Sequence, residues 1–298
     1  MISINLTIHQ KEKILKAVLS GIFKNTTLPF EFIAVLDGCT DGSEVILMDF
    51  LMNNKQKNLC GFNILYADNL YETRCNNMAA KASTGDYVCI VQDDCKITEF
   101  GFDKRLVKPF EHFNDVFAVS GNMAHHWEIN PNSVGKNADG WADLLTHTHH
   151  ATRFNIPDSV FAVRDSCNRG PLMINRKDLA FMGYFPEVAK QDLDEHILIY
   201  EVKKKLNKVV GYYGVKFESD PSWGGTRDEN CKPHQWSLDC QYNNTQLFYQ
   251  MHSDILDKHT FEVKSAVENK EAWLECVFNY PYLNVTINYG EKIIKKWK

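Results

Sequence analysis

Short apolar runs alternate with amphipathic stretches over the first 120 residues, and this alternation limits the possible folds more than any other feature. Within residues 11–24, for example, Ile14, Val18 and Ile22 recur at a spacing that places them on one helix face. Strand-like runs that alternate with such helices predict an α/β fold with a doubly wound, mostly parallel sheet flanked by helices. The predicted strands cover residues 4–8, 30–36, 62–66 and 87–91, and the predicted helices cover residues 11–24, 44–53 and 71–82.

The remainder of the chain is less regular. The predicted elements there are a helix at 102–113 interrupted at Pro109, strands at 116–120, 171–175 and 209–217, and a helix after Asp194. Residues 121–165 show little periodicity, and a long irregular segment of a compact domain is usually functional or disordered. We therefore expect one continuous domain, with a regular α/β half at residues 1–120 and an irregular half at residues 121–298.

Composition and charge exclude several classes of protein. The net charge of −5 argues against a general nucleic-acid-binding protein. No apolar run approaches the ~18 residues that a membrane-spanning helix needs, and the first residues lack the pattern of a signal peptide. Nine cysteines without a CxxC pair fit a reducing compartment. We therefore expect a soluble, cytoplasmic protein.

Acidic residues follow two of the predicted strands. Asp37 ends the second strand region, and Asp93 and Asp94 follow the apolar run at residues 87–91. Since parallel strands end at the same edge of a sheet and ligands bind beyond those ends, these carboxylates can face one crevice. Adjacent carboxylates at the end of a buried strand favour a positive partner, and Mg²⁺ or Mn²⁺ carrying a diphosphate has the required chemistry. An ordinary Asp-rich turn is the alternative for the doublet.

Five segments together carry a family resemblance. They are Leu6-Thr7-Ile8-His9-Gln10-Lys11-Glu12, Val35-Leu36-Asp37-Gly38-Cys39-Thr40-Asp41-Gly42-Ser43, Arg74-Cys75-Asn76 with residues 79–87, Gln92-Asp93-Asp94, and residues 170–194 with Gln191-Asp192-Leu193-Asp194. In this order and spacing they resemble the inverting glycosyltransferases of family 2, which have the GT-A fold. The similarity covers residues 2–217. Leu36 stands where the family has the first Asp of V-D-D-G-S, and Gln191 stands where it has the Glu of E-D.

The resemblance implies a transferase that moves a sugar from a nucleoside diphosphate sugar to a glycan, lipid or protein-linked acceptor with inversion. The absence of the Q-x-x-R-W motif implies a non-processive enzyme. By the same resemblance, residues 1–120 would bind the nucleotide sugar and residues 121–298 the acceptor. Asp93 and Asp94 would hold Mn²⁺ or Mg²⁺, and Asp37 would contact the nucleoside. The catalytic base would be Asp192, with Asp194 and Glu195 as competing candidates.

Further donor-site candidates come from the matched segments and from a glycine-rich stretch. Thr7 and His9 are at the end of the first predicted strand, and either can lie against the base; a surface position is an equally good interpretation of His9. Arg74 can pair with a phosphate or remain a surface charge, and Asn76 lies in the same matched segment. Arg227, after Trp223-Gly224-Gly225-Thr226, can reach the diphosphate, and His234 is a further metal-ligand candidate.

Two further features have more than one interpretation: a set of histidine and tryptophan residues, and a basic tail. His147 and His150 lack a Cys or carboxylate that completes a zinc site; with Trp127 and Trp141 they can line an acceptor groove or simply pack. The basic tail at residues 292–298 can touch anionic lipid weakly, or form a solvated helix end.

Two other functions remain open from the sequence. A sugar nucleotidyltransferase also uses an α/β sheet and acidic metal ligands, but it usually needs a glycine-rich loop after the first strand, and residues 7–12 contain no glycine. The other is a catalytically weak or inactive protein of the same fold that binds nucleotide sugars or glycans. Neither GxGxxG nor GxxxxGK[ST] occurs, so dinucleotide and P-loop sites find no support.

Overall fold

The computed structural model describes residues 1–129, 145–152, 158, 161–164, 166–187, 194–220, 222–223, 286–289 and 292–295. The helices in these ranges are α1 (Leu15–Asn25), α2 (Ser43–Asn53), α3 (Tyr71–Ala82), α4 (Phe102–His112), α5 (Arg176–Phe181) and α6 (Asp194–Leu206). The strands are β1 (Ile2–Ile8), β2 (Phe30–Asp37), β3 (Leu59–Ala67), β4 (Tyr87–Gln92), β5 (Lys96–Ile97), β6 (Val116–Ser120), β7 (Met123–Ile129), β8 (Leu145–Thr152), β9 (Ala162–Arg164), β10 (Ser166–Cys167), β11 (Leu172–Asn175), β12 (Val209–Tyr212), β13 (Phe217–Glu218), β14 (Thr286–Tyr289) and β15 (Lys292–Lys295).

Among the described residues, the central sheet contains eight strands in the order β3-β2-β1-β4-β11-β6-β12-β9. β1 is parallel to both β2 and β4, β2 is parallel to β3, and β6 is parallel to β12. β11 and β9 run antiparallel to their neighbours. The chain builds outward from β1 to β2 and β3, and then returns to β4 on the other side of β1. This reversal places a crevice at the carboxyl ends of β1 and β4, where ligands bind in sheets of this kind.

Helices cover both faces of the sheet, and this explains the nearly continuous apolar sequence of its central strands. On one face, Phe32 and its neighbours pack with the buried side of α1. On the other face, α3 buries Cys75 and Ala79 against Ile33 and Val35 of β2. The predicted doubly wound α/β fold is confirmed.

Two helices differ from the prediction at their ends or interior. The first begins at Leu15 rather than residue 11, because residues 9–14 form a loop that reaches across to the start of α2. The fourth runs through Pro109 without interruption. The proline removes one backbone donor, but Phe102 and Leu106 remain buried on the same helix, so packing maintains the helix.

Part of the stretch without periodicity folds into strands. β7 pairs with β8 as an antiparallel hairpin and also with β10. The hairpin contains His and Thr where a half-buried strand usually alternates apolar and polar residues, so its sequence gives no strand signal. The single strand predicted at residues 209–217 is instead two, because β13 leaves the main sheet and pairs with β5.

Part of the basic tail forms a strand, and not the solvated helix end that was one of its two predictions. Residues 292–295 form β15, which pairs antiparallel with β14. Among the helices in the described ranges, none is long and apolar enough to cross a membrane. Contact of the tail with lipid stays a prediction.

Candidate functional site

The carboxyl ends of β1, β2 and β4 meet at one edge of the sheet. In the strand register Ile8 lies beside Leu36, and Thr7 lies beside Gln92. The residues that follow these strands, including His9 and Asp93, therefore converge on the crevice between β1 and β4. This is the arrangement in which strand-end side chains can act on a single ligand.

Asp93 joins the end of β4 to the loop after β1. Its Oδ2 accepts a hydrogen bond from the His9 backbone N–H at 3.0 Å, and its Oδ1 lies 3.5 Å from Lys11 Nζ. Burial raises the pKa of the Asp93 carboxyl to about 7, against the lowering effect of Lys11 and of the His9 N–H, while Asp94 and Glu72 add to the rise. Further positive charge at this point would therefore stabilise the ionised form of Asp93.

Asp94 differs from Asp93 in its contacts. It is half-buried, and its carboxylate makes no hydrogen bond or ion pair with any residue that the structure describes. Within the same ranges, no three His, Cys, Asp or Glu side chains form a cluster able to hold a metal ion. Mg²⁺ commonly binds through one or two carboxylates and completes its shell with phosphate oxygens and water. The carboxylate doublet therefore fits a metal that arrives with a diphosphate.

Lys11 is a site residue that the sequence reasoning missed. Its ammonium group approaches Asp93 and donates a hydrogen bond to the Trp223 backbone carbonyl at 2.6 Å. The apolar periodicity placed Lys11 inside a helix, whereas it lies in the loop before α1. Gln10, at φ +52°, and its hydrogen bonds to Thr40 are the local features that hold this loop. A left-handed residue at this position has no clear sequence signal.

Asp37 is fully buried at the end of β2. Its Oδ1 accepts the Leu70 backbone N–H at 2.7 Å, and its Oδ2 accepts the Tyr71 backbone N–H at 2.8 Å. These donors lie at the amino-terminal end of α3, where Leu70 is the N-cap residue and Tyr71 the first helical residue. The Asp37 carboxylate therefore caps this helix from another part of the chain. The Asp37 backbone carbonyl contacts His9 Nδ1 at 2.6 Å.

Thr7 and Asn76 form a polar pair beneath the crevice. Thr7 Oγ1 donates to Asn76 Oδ1 at 3.2 Å. Asn76 is only 2% exposed, and its Nδ2 has no hydrogen-bond partner among the described residues. This geometry places Asn76 behind Thr7, so Asn76 is suited to orient Thr7 rather than to reach a ligand itself.

Arg74 lies on the exposed side of α3. Its Nε is 3.2 Å from Glu187 Oε2, and both side chains are substantially exposed. Asn77 of the same helix also donates to Glu187 and is buried. The Arg74 guanidinium is therefore held beside Glu187, with more than half of its side chain exposed to solvent.

Asp194 lies deep in the protein at the start of α6. It is fully buried, and its Oδ1 and Oδ2 accept from the Arg169 guanidinium at 2.9 and 3.0 Å. Thr73 Oγ1 also donates to Oδ2 at 3.0 Å. Burial alone would raise the pKa of Asp194, but Arg169 and the hydrogen bonds hold it below its ordinary value.

Three of the predicted site residues lie outside the described residues. They are Asp192, Arg227 and His234. Trp141 lies outside as well, and only the backbone is described for Trp127, His147 and His150. In the hairpin, Trp127 pairs in register with His147.

Comparison with known proteins gives a family match. Residues 3–170, more than half of the 298-residue chain, match the family model described as Glycosyl transferase family 2. No curated protein matches the chain in sequence.

Solved structures share the fold at low sequence identity. The mannosyltransferase PcManGT of Pyrobaculum calidifontis, solved in complex with GDP-Man and Mn²⁺, is 14% identical with a TM-score of 0.55, over 92% of this chain and 71% of that one. TarS of S. aureus is 13% identical with a TM-score of 0.50, over 99% of this chain and 60% of that one. The chain thus spans less than two thirds of TarS.

Proposed function

The chain belongs to glycosyl transferase family 2, and we propose that it moves a sugar from a nucleoside diphosphate sugar to a carbohydrate or glycoconjugate acceptor. The proposed reaction is inverting, non-processive and dependent on Mn²⁺ or Mg²⁺. The observation that carries this proposal is the position of Asp93 and Asp94 at the end of β4, beside the point where the strand order reverses.

The donor side of the reaction needs a place for the charge of the leaving diphosphate. Asp94 is the proposed principal metal ligand, because its carboxylate has no other partner among the described residues, and Asp93 supports it. A bound divalent ion supplies positive charge to the diphosphate as the anomeric C–O bond breaks. Lys11 and the His9 N–H hold Asp93 in place, which keeps the doublet oriented before the donor arrives.

The nucleoside is proposed to bind over the ends of β1 and β2. Asp37 and His9 are joined there, and Thr7 is oriented by Asn76. Since each carboxylate oxygen of Asp37 already accepts a backbone N–H, from Leu70 or from Tyr71, we propose that Asp37 acts mainly by shaping the turn against which the nucleoside lies. Arg74 is proposed to approach the phosphates when it leaves Glu187.

The acceptor side needs a base, since inversion by a single displacement transfers the acceptor hydroxyl proton to a side chain. We propose Asp192 for this role. Asp194 is the weaker candidate, because both of its oxygens are engaged by Arg169 and it is fully buried. Residues 1–120 would thus hold the donor, and residues 121–298 would supply the base and the acceptor site.

The bound ligands of a structural relative support the donor class. PcManGT, which shares the fold, was solved with GDP-Man and Mn²⁺. A nucleoside diphosphate sugar with a divalent metal therefore occurs on this fold in a protein of that activity.

Calorimetric titration of UDP, GDP and dTDP, each with and without Mn²⁺, tests the proposal. We expect one nucleotide to bind and Mn²⁺ to strengthen that binding in the parent protein but not in Asp94→Asn. Asp49→Asn, which changes an exposed carboxylate on α2, is the matched control and should behave as the parent does. The metal assignment would be refuted if Mn²⁺ does not change the nucleotide Kd of the parent. It would also be refuted if Mn²⁺ lowers the nucleotide Kd of Asp94→Asn as much as that of the parent.

A further inference from the structure

One buried arginine gathers three carboxylates from distant parts of the chain. Arg169 is 4% exposed. Its guanidinium forms a two-pronged ion pair with Asp194 at 2.9 and 3.0 Å, lies 3.0 Å from Glu195 Oε2, and lies 3.4 Å from Glu72 Oε1 through Nε. The planar fork of arginine can satisfy several acceptors at once, whereas a lysine ammonium cannot reproduce this geometry.

The charges in this cluster follow from burial and proximity. Burial raises the pKa of Glu195 well above its ordinary value, Arg169 opposes the rise and Asp194 adds to it. Asp194 is held ionised by Arg169. Of these two neighbouring carboxyls, which are joined by a side-chain hydrogen bond, Glu195 therefore holds a proton more readily than Asp194 does.

Glu72 connects the Arg169 cluster to the end of β4, which precedes the proposed metal ligands Asp93 and Asp94. Glu72 Oε1 accepts a hydrogen bond from Gln92 Nε2 at 3.3 Å, and Gln92 is the last residue of β4, directly before Asp93. Gly170, next to Arg169, lies so close to this glutamine that an added Cβ would be 2.3 Å from Gln92 Oε1. Arg169 is thus fixed to the end of the strand that carries the acidic doublet.

The cluster reaches the acceptor side through the start of α6. Asp194 and Glu195 are the first two residues of that helix, and Asp192 comes two residues earlier in the chain. Thr73 of α3 donates to the same Asp194 oxygen as Arg169 does. The first turn of α6 is therefore hydrogen-bonded to α3 through Thr73, and it is connected to the end of β4 through Arg169 and Glu72.

We propose that Arg169 is a positioning residue: it fixes the first turn of α6, at Asp194 and Glu195, relative to the end of β4 that precedes Asp93 and Asp94. The proposed base, Asp192, comes two residues before that turn in the sequence. This inference rests on the proposed function. A buried ion cluster is weak evidence for stability, because its desolvation offsets much of its attraction and apolar side chains can fill the same volume. Positioning explains the ion cluster better than stability does, because a displacement of about 1 Å in a catalytic group can lower the rate on the order of 100-fold.

Arg169→Lys is the test variant, because lysine keeps a positive charge for the buried carboxylates but lacks the planar guanidinium that pairs with both oxygens of Asp194. Arg105→Lys is the matched control: Arg105 of α4 also pairs with a glutamate, Glu99, outside the proposed site. We expect Arg169→Lys to lower kcat for transfer by about tenfold or more, with KM and the nucleotide Kd changed by less than about threefold. Arg105→Lys should leave all three constants as in the parent.

A double-mutant cycle separates positioning from general structural damage. If Arg169 acts through the proposed base, then Arg169→Lys should lower turnover in the parent and have little further effect in Asp192→Asn, because the base is already lost there. Structural damage would lower turnover by the same factor in both backgrounds, and that result would overturn the inference. Unchanged kcat in folded Arg169→Lys would overturn it too.

Glu72→Gln covers the case in which Arg169→Lys does not fold. It keeps Arg169 paired with Asp194 and Glu195, and it removes the Glu72 charge that lies beside Arg169 Nε and accepts from Gln92 Nε2. We expect a smaller fall in kcat that is again absent in Asp192→Asn, and an additive or absent effect would refute the inference. Lack of transfer by the parent protein would overturn the proposed function and the inference together, whereas parental transfer with additive variants overturns the inference alone.

Discussion

Asp37→Asn separates the structural role of this buried carboxylate from any contact with a nucleotide. The parent carboxylate accepts two backbone N–H groups, from Leu70 and Tyr71, while fully buried. Hydrogen bonds to charged groups contribute roughly 1.5–3 kcal/mol each. Asparagine keeps one weaker bond and turns an N–H2 group toward the other backbone N–H, so we expect the free energy of unfolding to fall by about 2–4 kcal/mol.

Denaturant unfolding and thermal melts measure this loss. A fall of that size corresponds to a decrease in Tm on the order of 10 °C for a domain of this size. Asp68→Asn is the matched control, because it removes the same charge from an exposed position in the same β3–α3 connection; it should stay within about 0.5 kcal/mol of the parent. We also expect Asp37→Asn to weaken metal-free nucleotide binding. A variant as stable as Asp68→Asn would refute the capping role, and unchanged nucleotide affinity would refute the role in the site.

Three further predictions concern other residues. Asp192→Asn should reduce kcat and kcat/KM together by a factor of about 10²–10⁴ while the donor Kd is unchanged. In steady-state transfer assays, a reduction in kcat of less than about threefold would exclude Asp192 as the base. Burial would raise the pKa of Glu31, but hydrogen bonds from Ser3, Thr84 and the Gly85 N–H outweigh it and lower that pKa. Glu31 therefore stabilises the fold above its unfolded pKa, and this stabilisation is lost as the pH falls through its lower folded pKa. Unfolding curves of Glu31→Gln should differ from those of the parent at pH 7 and converge with them in acid, and a difference that is constant with pH would contradict this. Gly170→Ala combines φ +80° with a Cβ 2.3 Å from Gln92 Oε1, so it should lower the free energy of unfolding by about 1–3 kcal/mol, and an unaltered denaturation midpoint would show that the strain is absent.

Local sequence signals were sufficient for the parts of the fold that depend on strand and helix periodicity. The apolar run of β4 and the acidic pair behind it placed Asp93 and Asp94 at the end of a buried strand, and the alternation of elements predicted the parallel order. Asp37 was assigned to the same edge by the same reasoning. These inferences succeed because a strand end and a sheet edge follow from neighbouring residues alone.

Contacts between distant segments were not predictable from the sequence. Arg169 showed no motif, because its three partners come from residue 72 and from the start of α6. Lys11 was placed in a helix, since the loop that frees it is held by tertiary hydrogen bonds to the start of α2. β7 and β8 gave no strand signal because their sequences lack apolar alternation, and β7 pairs with strands that lie far from it in the sequence, β8 and β10.

Release of nucleoside diphosphate from nucleotide sugars tests the central claim most directly. The parent protein would be incubated with UDP-, GDP- and dTDP-sugars, with Mn²⁺ and with excess chelator, with water or simple sugars as acceptor. We predict that one donor is turned over with Mn²⁺, that chelator stops the reaction, and that Asp94→Asn does not catalyse it while Asp49→Asn does. Turnover that is equal with and without metal, or equal in Asp94→Asn and the parent, would contradict the account, as would binding of a nucleotide sugar with no turnover under any of these conditions.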